Sequence, residues 1–154
     1  EVILTQGYYT EGSIIARQMR ELEIDAQYVV SQAQGVPEFA ELAGEAAEGV
    51  VFPSLWVPGN PDERSRNFEA KFKEKYGFEP GVFEVGGYEE VYVVVEAIKR
   101  GGGTSSEQIQ EGMKKLNGYE IMFGTINFNE KNQNESNVWL CMFKNGKMEV
   151  IKKL

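Results

Sequence analysis

The sequence has no histidine and only one cysteine. The first absence removes the side chain most used as a general base near neutral pH and the commonest metal ligand. It also excludes Ser–His and Cys–His nucleophile pairs, and no SxxK motif marks a Ser–Lys alternative. The lone Cys141 excludes an intrachain disulfide. It lies in the apolar run Val138-Trp139-Leu140-Cys141-Met142-Phe143, which predicts a buried small hydrophobe and not a nucleophile. Long hydrophobic runs are also missing, since none approaches the ~20 residues that cross a bilayer. Positive charge is scarce: 16 Lys and Arg face 24 Asp and Glu, for a net charge of −8. Such a surface repels phosphate backbones and anionic lipid, which disfavours nucleic acid as a partner. No DxDxDG loop offers calcium ligands, so neither a metal nor a cofactor is expected.

What is present suits a folded domain. The 154 residues are 42% hydrophobic and 26% charged, and nine Phe, seven Tyr and two Trp are enough to fill a core. The chain opens on Glu1-Val2-Ile3-Leu4-Thr5, already a strand pattern without an initiator Met, and the expectation is a mature or cut piece of a longer protein. Residues 2–6, 28–31 and 49–53 read as strands, separated by helices over 10–22 and 36–43. The last strand is apolar throughout and is expected to be buried on both faces. A β-α-β-α-β order predicts parallel strands with right-handed crossovers, an α/β fold.

The pattern then changes. Residues 54–60 form an irregular link. Asn60 is the expected N-cap of a helix with Pro61 at its first position and Phe68, Phe72 and Tyr76 on its buried side. A long helix is predicted over 83–99, with Tyr88, Val91, Tyr92, Val95 and Ile98 on one face. The Gly101-Gly102-Gly103 run lacks the phosphate-loop pattern and reads as a helix end, followed by a new cap at Thr104-Ser105-Ser106. Residues 125–128 are a further predicted strand. Asn145-Gly146 between two apolar runs predicts a C-terminal antiparallel hairpin pairing 138–143 with 148–151.

Glutamates at 38, 41, 45 and 48, and at 84, 89 and 90, could pair for acid–base work, but at helical spacing on so acidic a chain they read as a solvated face. Asn134-Glu135-Ser136 fits the glycosylation pattern by chance. The remaining candidates are loops at the C-terminal ends of parallel strands, where α/β sheets gather ligands. These are Gly7-Tyr8-Tyr9-Thr10-Glu11-Gly12 and Ser31-Gln32-Ala33-Gln34-Gly35. Tyr8 and Tyr9 either face a ligand or pack on the first helix, and the pattern leaves both open.

The first of these loops, followed by Ala16-Arg17-Gln18-Met19-Arg20-Glu21-Leu22, resembles the second-lobe strand-to-helix turn of the leucine/isoleucine/valine-binding family. Pro37-Glu38-Phe39 with Leu42-Ala43-Gly44-Glu45-Ala46-Ala47-Glu48-Gly49-Val50 is similar to a hallmark stretch of the same family. Phe72-Lys73-Glu74-Lys75-Tyr76-Gly77, Gly87-Tyr88, Ala97-Ile98, Phe123-Gly124-Thr125-Ile126-Asn127-Phe128 and Lys144-Asn145-Gly146-Lys147 follow in order. The resemblance implies a partial type I periplasmic-binding-protein fold, comprising only the C-terminal portion of a two-lobed protein that closes on a solute and delivers it to an ABC permease. By that likeness residues 1–53 belong to the second lobe, 54–60 to a hinge crossing, 61–135 to the first lobe, and 136–154 to return strands. The implied function is a periplasmic or extracellular solute-binding component for amino acids or amide-like solutes, anchored at the cell surface in full length, and not an enzyme. The alternatives are a ligand-sensing domain of the same fold, or a non-binding piece that associates with its missing N-terminal part or a second copy.

Three ligand positions carry over: Tyr8 as a cleft tyrosine, Phe83 as an apolar contact at the start of the long helix, and Gln32. The last stands where amino-acid binders hold an acidic partner for the ligand ammonium. A neutral amide cannot make that charge-assisted bond, which leaves an altered solute, an altered specificity or a lost activity. Tyr9, Gln34 and Trp56 complete the candidate set.

Overall fold

The computed structural model describes residues 1–134 and 136–154; the Asn134-Glu135-Ser136 pattern and the expected lobe boundary at 135 therefore include a position outside the described residues. The chain divides into two compact units, Glu1–Val57 with Val138–Leu154, and Pro58–Asn137.

The first unit holds β1 (Val2–Thr5), α1 (Tyr9–Glu21), β2 (Gln27–Val30), α2 (Pro37–Ala43) and β3 (Val51–Ser54), with a 3-10 turn at Gly44–Ala47 after α2. The C-terminal strands β6 (Trp139–Lys144) and β7 (Lys147–Lys153) complete it. These strands make one sheet in the order β1-β2-β3-β6-β7. The first three run parallel, as the alternating pattern predicts; β6 adds antiparallel to β3, and β7 antiparallel to β6. Asn145 and Gly146 turn the last hairpin with φ of 51° and 72°, the left-handed pair that two-residue hairpin turns require.

Burial along β3 alternates: Phe52 and Ser54 are buried, while Val51 and Pro53 are only half-buried. The expectation of burial on both faces was too strong, because an apolar run does not by itself say what covers its second side. The core gathers α1, α2 and the sheet around Phe39, Phe52 and Phe143. The Phe39 and Phe143 rings stack with centroids 5.3 Å apart, and Phe52 lies 4.6 Å from Phe143. Cys141 is fully buried in the same cluster, and burial pushes its thiol up to about 11, leaving little reactive thiolate at neutral pH.

The second unit consists of α3 (Glu63–Tyr76), α4 (Val82–Gly101), α5 (Ser106–Lys114) and the small antiparallel pair β4 (Tyr119–Ile121) and β5 (Gly124–Ile126). The N-cap of α3 is Asp62 and not Asn60: the Ser65 N–H donates to the Asp62 carboxylate at 2.9 Å, while Asn60 accepts from the Asp62 N–H in the turn before it. Two cap-competent residues, Asn60 and Asp62 on either side of Pro61, made that choice invisible to pattern. The Ser105 cap of α5 is a reciprocal capping box with Gln108. Strand β4 had no counterpart in the sequence reading, and β5 ends at Ile126, where Phe128 instead makes an isolated bridge to Asn134. Ala97, Leu116 and Ile126 form the core, and α4 and α5 approach so closely that a β-carbon at Gly112 would overlap the Ala97 carbonyl.

The apolar stripe predicted along α4 is largely uncovered. Tyr88, Val91, Tyr92 and Val95 are 44%, 61%, 49% and 42% exposed, while Val82, Val85, Glu89 and Ala97 are the buried positions. Tyr76 on α3 is likewise exposed. The rings of Phe68, Phe72, Tyr76, Tyr88 and Tyr92 still contact one another in a continuous row.

Candidate functional site

Parallel strands end together, so the loops that follow them share one edge of the sheet. In the first unit those loops are tied to one another by side chains. At the end of β2 the chain turns back, with the Gln34 N–H donating to the Ser31 carbonyl at 3.0 Å. The turn lets Ser31 Oγ lie 3.2 Å from the Gly7 carbonyl in the loop after β1. On the other side, the Leu55 N–H after β3 donates to Gln32 Oε1 at 3.0 Å. The residues after β2 are thus the middle member of three linked loops.

Beneath them runs a polar chain. Gln34 Oε1 accepts from the Ser31 N–H at 3.0 Å, which fixes its amide nitrogen toward Thr5 Oγ1 at 3.2 Å. Thr5 Oγ1 is 2.8 Å from the Tyr28 hydroxyl, which donates to the Gly12 carbonyl at 3.4 Å. Burial raises the Tyr28 phenol above its ordinary value, with the bond to Thr5 opposing. This network holds the start of α1 against the end of β2. Gly12 is required there, because a β-carbon would overlap the Gln34 amide.

The candidate residues divide accordingly. Tyr8 is 68% exposed and ends the loop as the N-cap residue of α1, with no side-chain capping bond. Tyr9 is half-buried and packs on the core. Gln32 is half-buried beside Leu55. Gln34 is buried with both ends of its amide engaged by the chain, so it supports the loops from within. Trp56 is fully buried, and its carbonyl accepts from Ser54 Oγ at 2.5 Å. Phe83, the second residue of α4 in the second unit, is 51% exposed. Sequence reasoning missed Thr5, Ser31 and Tyr28 as the residues that set the loops; the available signal was small polar residues closing two adjacent strands.

A separate groove of about 650 Å³ lies in the second unit between α3 and α4, lined by Phe68, Phe72, Tyr76, Tyr88, Tyr92 and Met122 among others. Glu89 sits at its base, accepting from the Met122 N–H at 2.8 Å. None of the candidate site residues lines this groove. Among the described residues no group of three or more His, Cys, Asp or Glu could hold a metal ion, and no helix is long and apolar enough to cross a membrane.

A family model described as periplasmic binding protein matches residues 1–147. The chain belongs to this family. Among its relatives is a leucine-, isoleucine-, valine-, threonine- and alanine-binding protein of Pseudomonas aeruginosa, 27% identical over 125 residues, which cover 81% of this chain and 33% of the relative. Solved relatives in the family include the leucine-binding protein LivK of Thermotoga maritima, with a TM-score of 0.89 and 30% identity over 99% of this chain and 44% of that one. The branched-chain amino acid transporter substrate-binding protein LivJ of Streptococcus pneumoniae, solved with isoleucine, matches with a TM-score of 0.83 and 26% identity over the same shares. The chain thus spans about a third of the length of the first relative and under half of the solved proteins. These periplasmic-binding-protein relatives are named as binders, and none as an enzyme.

Proposed function

We propose that this chain is part of a solute-binding protein that works outside the cytoplasm, takes up an amino acid or a related small polar solute, and presents it to an ABC permease. The observation that carries the reading is the fit of nearly the entire chain to an amino-acid-binding relative. The linked loops at the sheet edge support it, since they form a braced polar rim at the place where α/β sheets hold ligands. Tyr8, Gln32 and Phe83 are proposed ligand contacts. Residues 1–53 and 136–154 are assigned to the second lobe, 61–135 to the first, and 54–60 to a hinge crossing. No catalytic step is part of the proposal.

The test is a thermal-shift screen of amino acids, amides and aromatic acids on the full-length protein. A ligand at a hundred times its dissociation constant adds about 2.7 kcal/mol of stability, so a true solute raises the melting temperature. Absence of any shift across the screen would remove the reading.

The uncovered aromatic face of the second unit supports one further assignment. The relatives are more than twice as long as this chain, and the remainder of the polypeptide is proposed to cover α3 and α4. A contiguous apolar face of this kind is rarely left in water by a monomeric protein.

A further inference from the structure

Gln32 stands at the middle of the three linked loops, and its amide has two unlike corners. Its oxygen accepts from the Leu55 N–H at 3.0 Å. That assignment is forced, because an N–H needs an acceptor and the amide nitrogen is not one. The nitrogen is therefore the corner turned away from Leu55. No bond from it to the described residues accompanies the Leu55 contact, and among those residues no buried side-chain polar atom lacks a partner. The Gln32 nitrogen is consequently open to solvent, offering two N–H donors and no acceptor.

The surrounding charge agrees. The three loops, residues 6–12, 31–36 and 54–57, carry a single carboxylate, Glu11, which is exposed on the first turn of α1. An ammonium arriving at the Gln32 amide nitrogen would meet a donor where it needs an acceptor.

We infer that Gln32 is a specificity-determining donor, and that the solute presents an acceptor oxygen to it, a carbonyl or carboxylate, in place of an ammonium group. The inference rests on the proposed solute-binding function. A 2-oxo acid has this character: it keeps the carbon skeleton and carboxylate of an amino acid but carries a carbonyl oxygen where the ammonium was.

Isothermal titration calorimetry on the full-length protein tests it, using leucine, valine and phenylalanine, each against its own 2-oxo acid. Mispairing a donor at a desolvated position costs on the order of tenfold or more in affinity. The 2-oxo acid of at least one pair is therefore expected to bind about tenfold or more tightly than its amino acid. Gln32→Glu keeps an oxygen for the Leu55 N–H and supplies a carboxylate, so it is expected to reverse the preference. If the native protein prefers the amino acids, solute binding stands and the donor role of Gln32 is overturned. The same holds if Gln32→Glu leaves the ratio unchanged. Binding of none of the six overturns the solute-binding reading for this chemistry, and the inference falls with it. Should Gln32→Glu fail to fold, the native ratio still decides.

Discussion

A β-carbon placed on Gly35 would overlap the Phe52 ring, which is fully buried. Overpacking a close-packed interior costs about 1–3 kcal/mol, so Gly35→Ala is expected to lower the unfolding free energy by that amount in a denaturant titration. A loss below about 0.5 kcal/mol, well under that range, would mean that Phe52 yields freely. Glu89 poses a different problem. Burial raises its carboxyl above the ordinary value, against the Met122 N–H and the Arg64 charge. An acid with a raised folded value binds its proton more tightly in the folded chain than in the unfolded one. Stability is then greater below that window and falls as pH rises from the ordinary carboxylate range through the raised value. Glu69 is shifted in the same direction, so the informative comparison is Glu89→Gln, which keeps the acceptor for Met122 and removes the charge. Its melting temperature should fall less over this window than that of the native chain; coincident profiles would clear Glu89 of the effect. Among the site candidates, the positions of Tyr8 and Gln32 in loops after strands could be read from the pattern. That Gln34 and Trp56 are buried could not, because burial depends on which strands the loops bring together.

Helices and strands were largely legible, since each is specified by periodicity within its own stretch. The limits show at their ends. At α3, Asn60 and Asp62 are both competent caps, and the choice of Asp62 follows from the geometry of the turn before the helix. Loss of an N-cap side chain costs roughly 1 kcal/mol. Asp62→Ala is expected to destabilise the second unit by about that much, and amide hydrogen exchange should show faster opening of the first turn of α3. If exchange at Ser65 is unchanged, the cap is not what holds it. The pair β4 and β5 illustrates a second limit. β5 was anticipated by the strand expected over 125–128, but β4, three residues long, exists through its pairing with β5, and no local pattern of that length separates it from loop.

For the whole chain, the uncovered stripe on α4 has a measurable consequence. Apolar faces of this kind associate, burying about 25 cal/mol of favourable free energy per Å². In size-exclusion chromatography with light scattering, the isolated chain is expected to form concentration-dependent oligomers, and Val91→Lys with Val95→Lys to shift it toward monomer without unfolding it. A native chain that stays monomeric at high concentration would argue against the proposed cover by the rest of the polypeptide.

The sequence by itself determined the α/β class, the parallel start and hairpin end of the chain and the inert cysteine, because these depend on local periodicity, turn chemistry and composition; the family followed from the ordered set of segments that resemble its members. It also placed Gln32 at the end of β2. Only the tertiary structure decided which corner of that amide is left unbonded, since the Leu55 N–H that claims its oxygen comes from 23 residues further along the chain. It alone showed that Gln34 braces the loops and that the α4 stripe is open. Hydrogen-bond partners and cover are supplied by residues distant in sequence, and no local pattern names them.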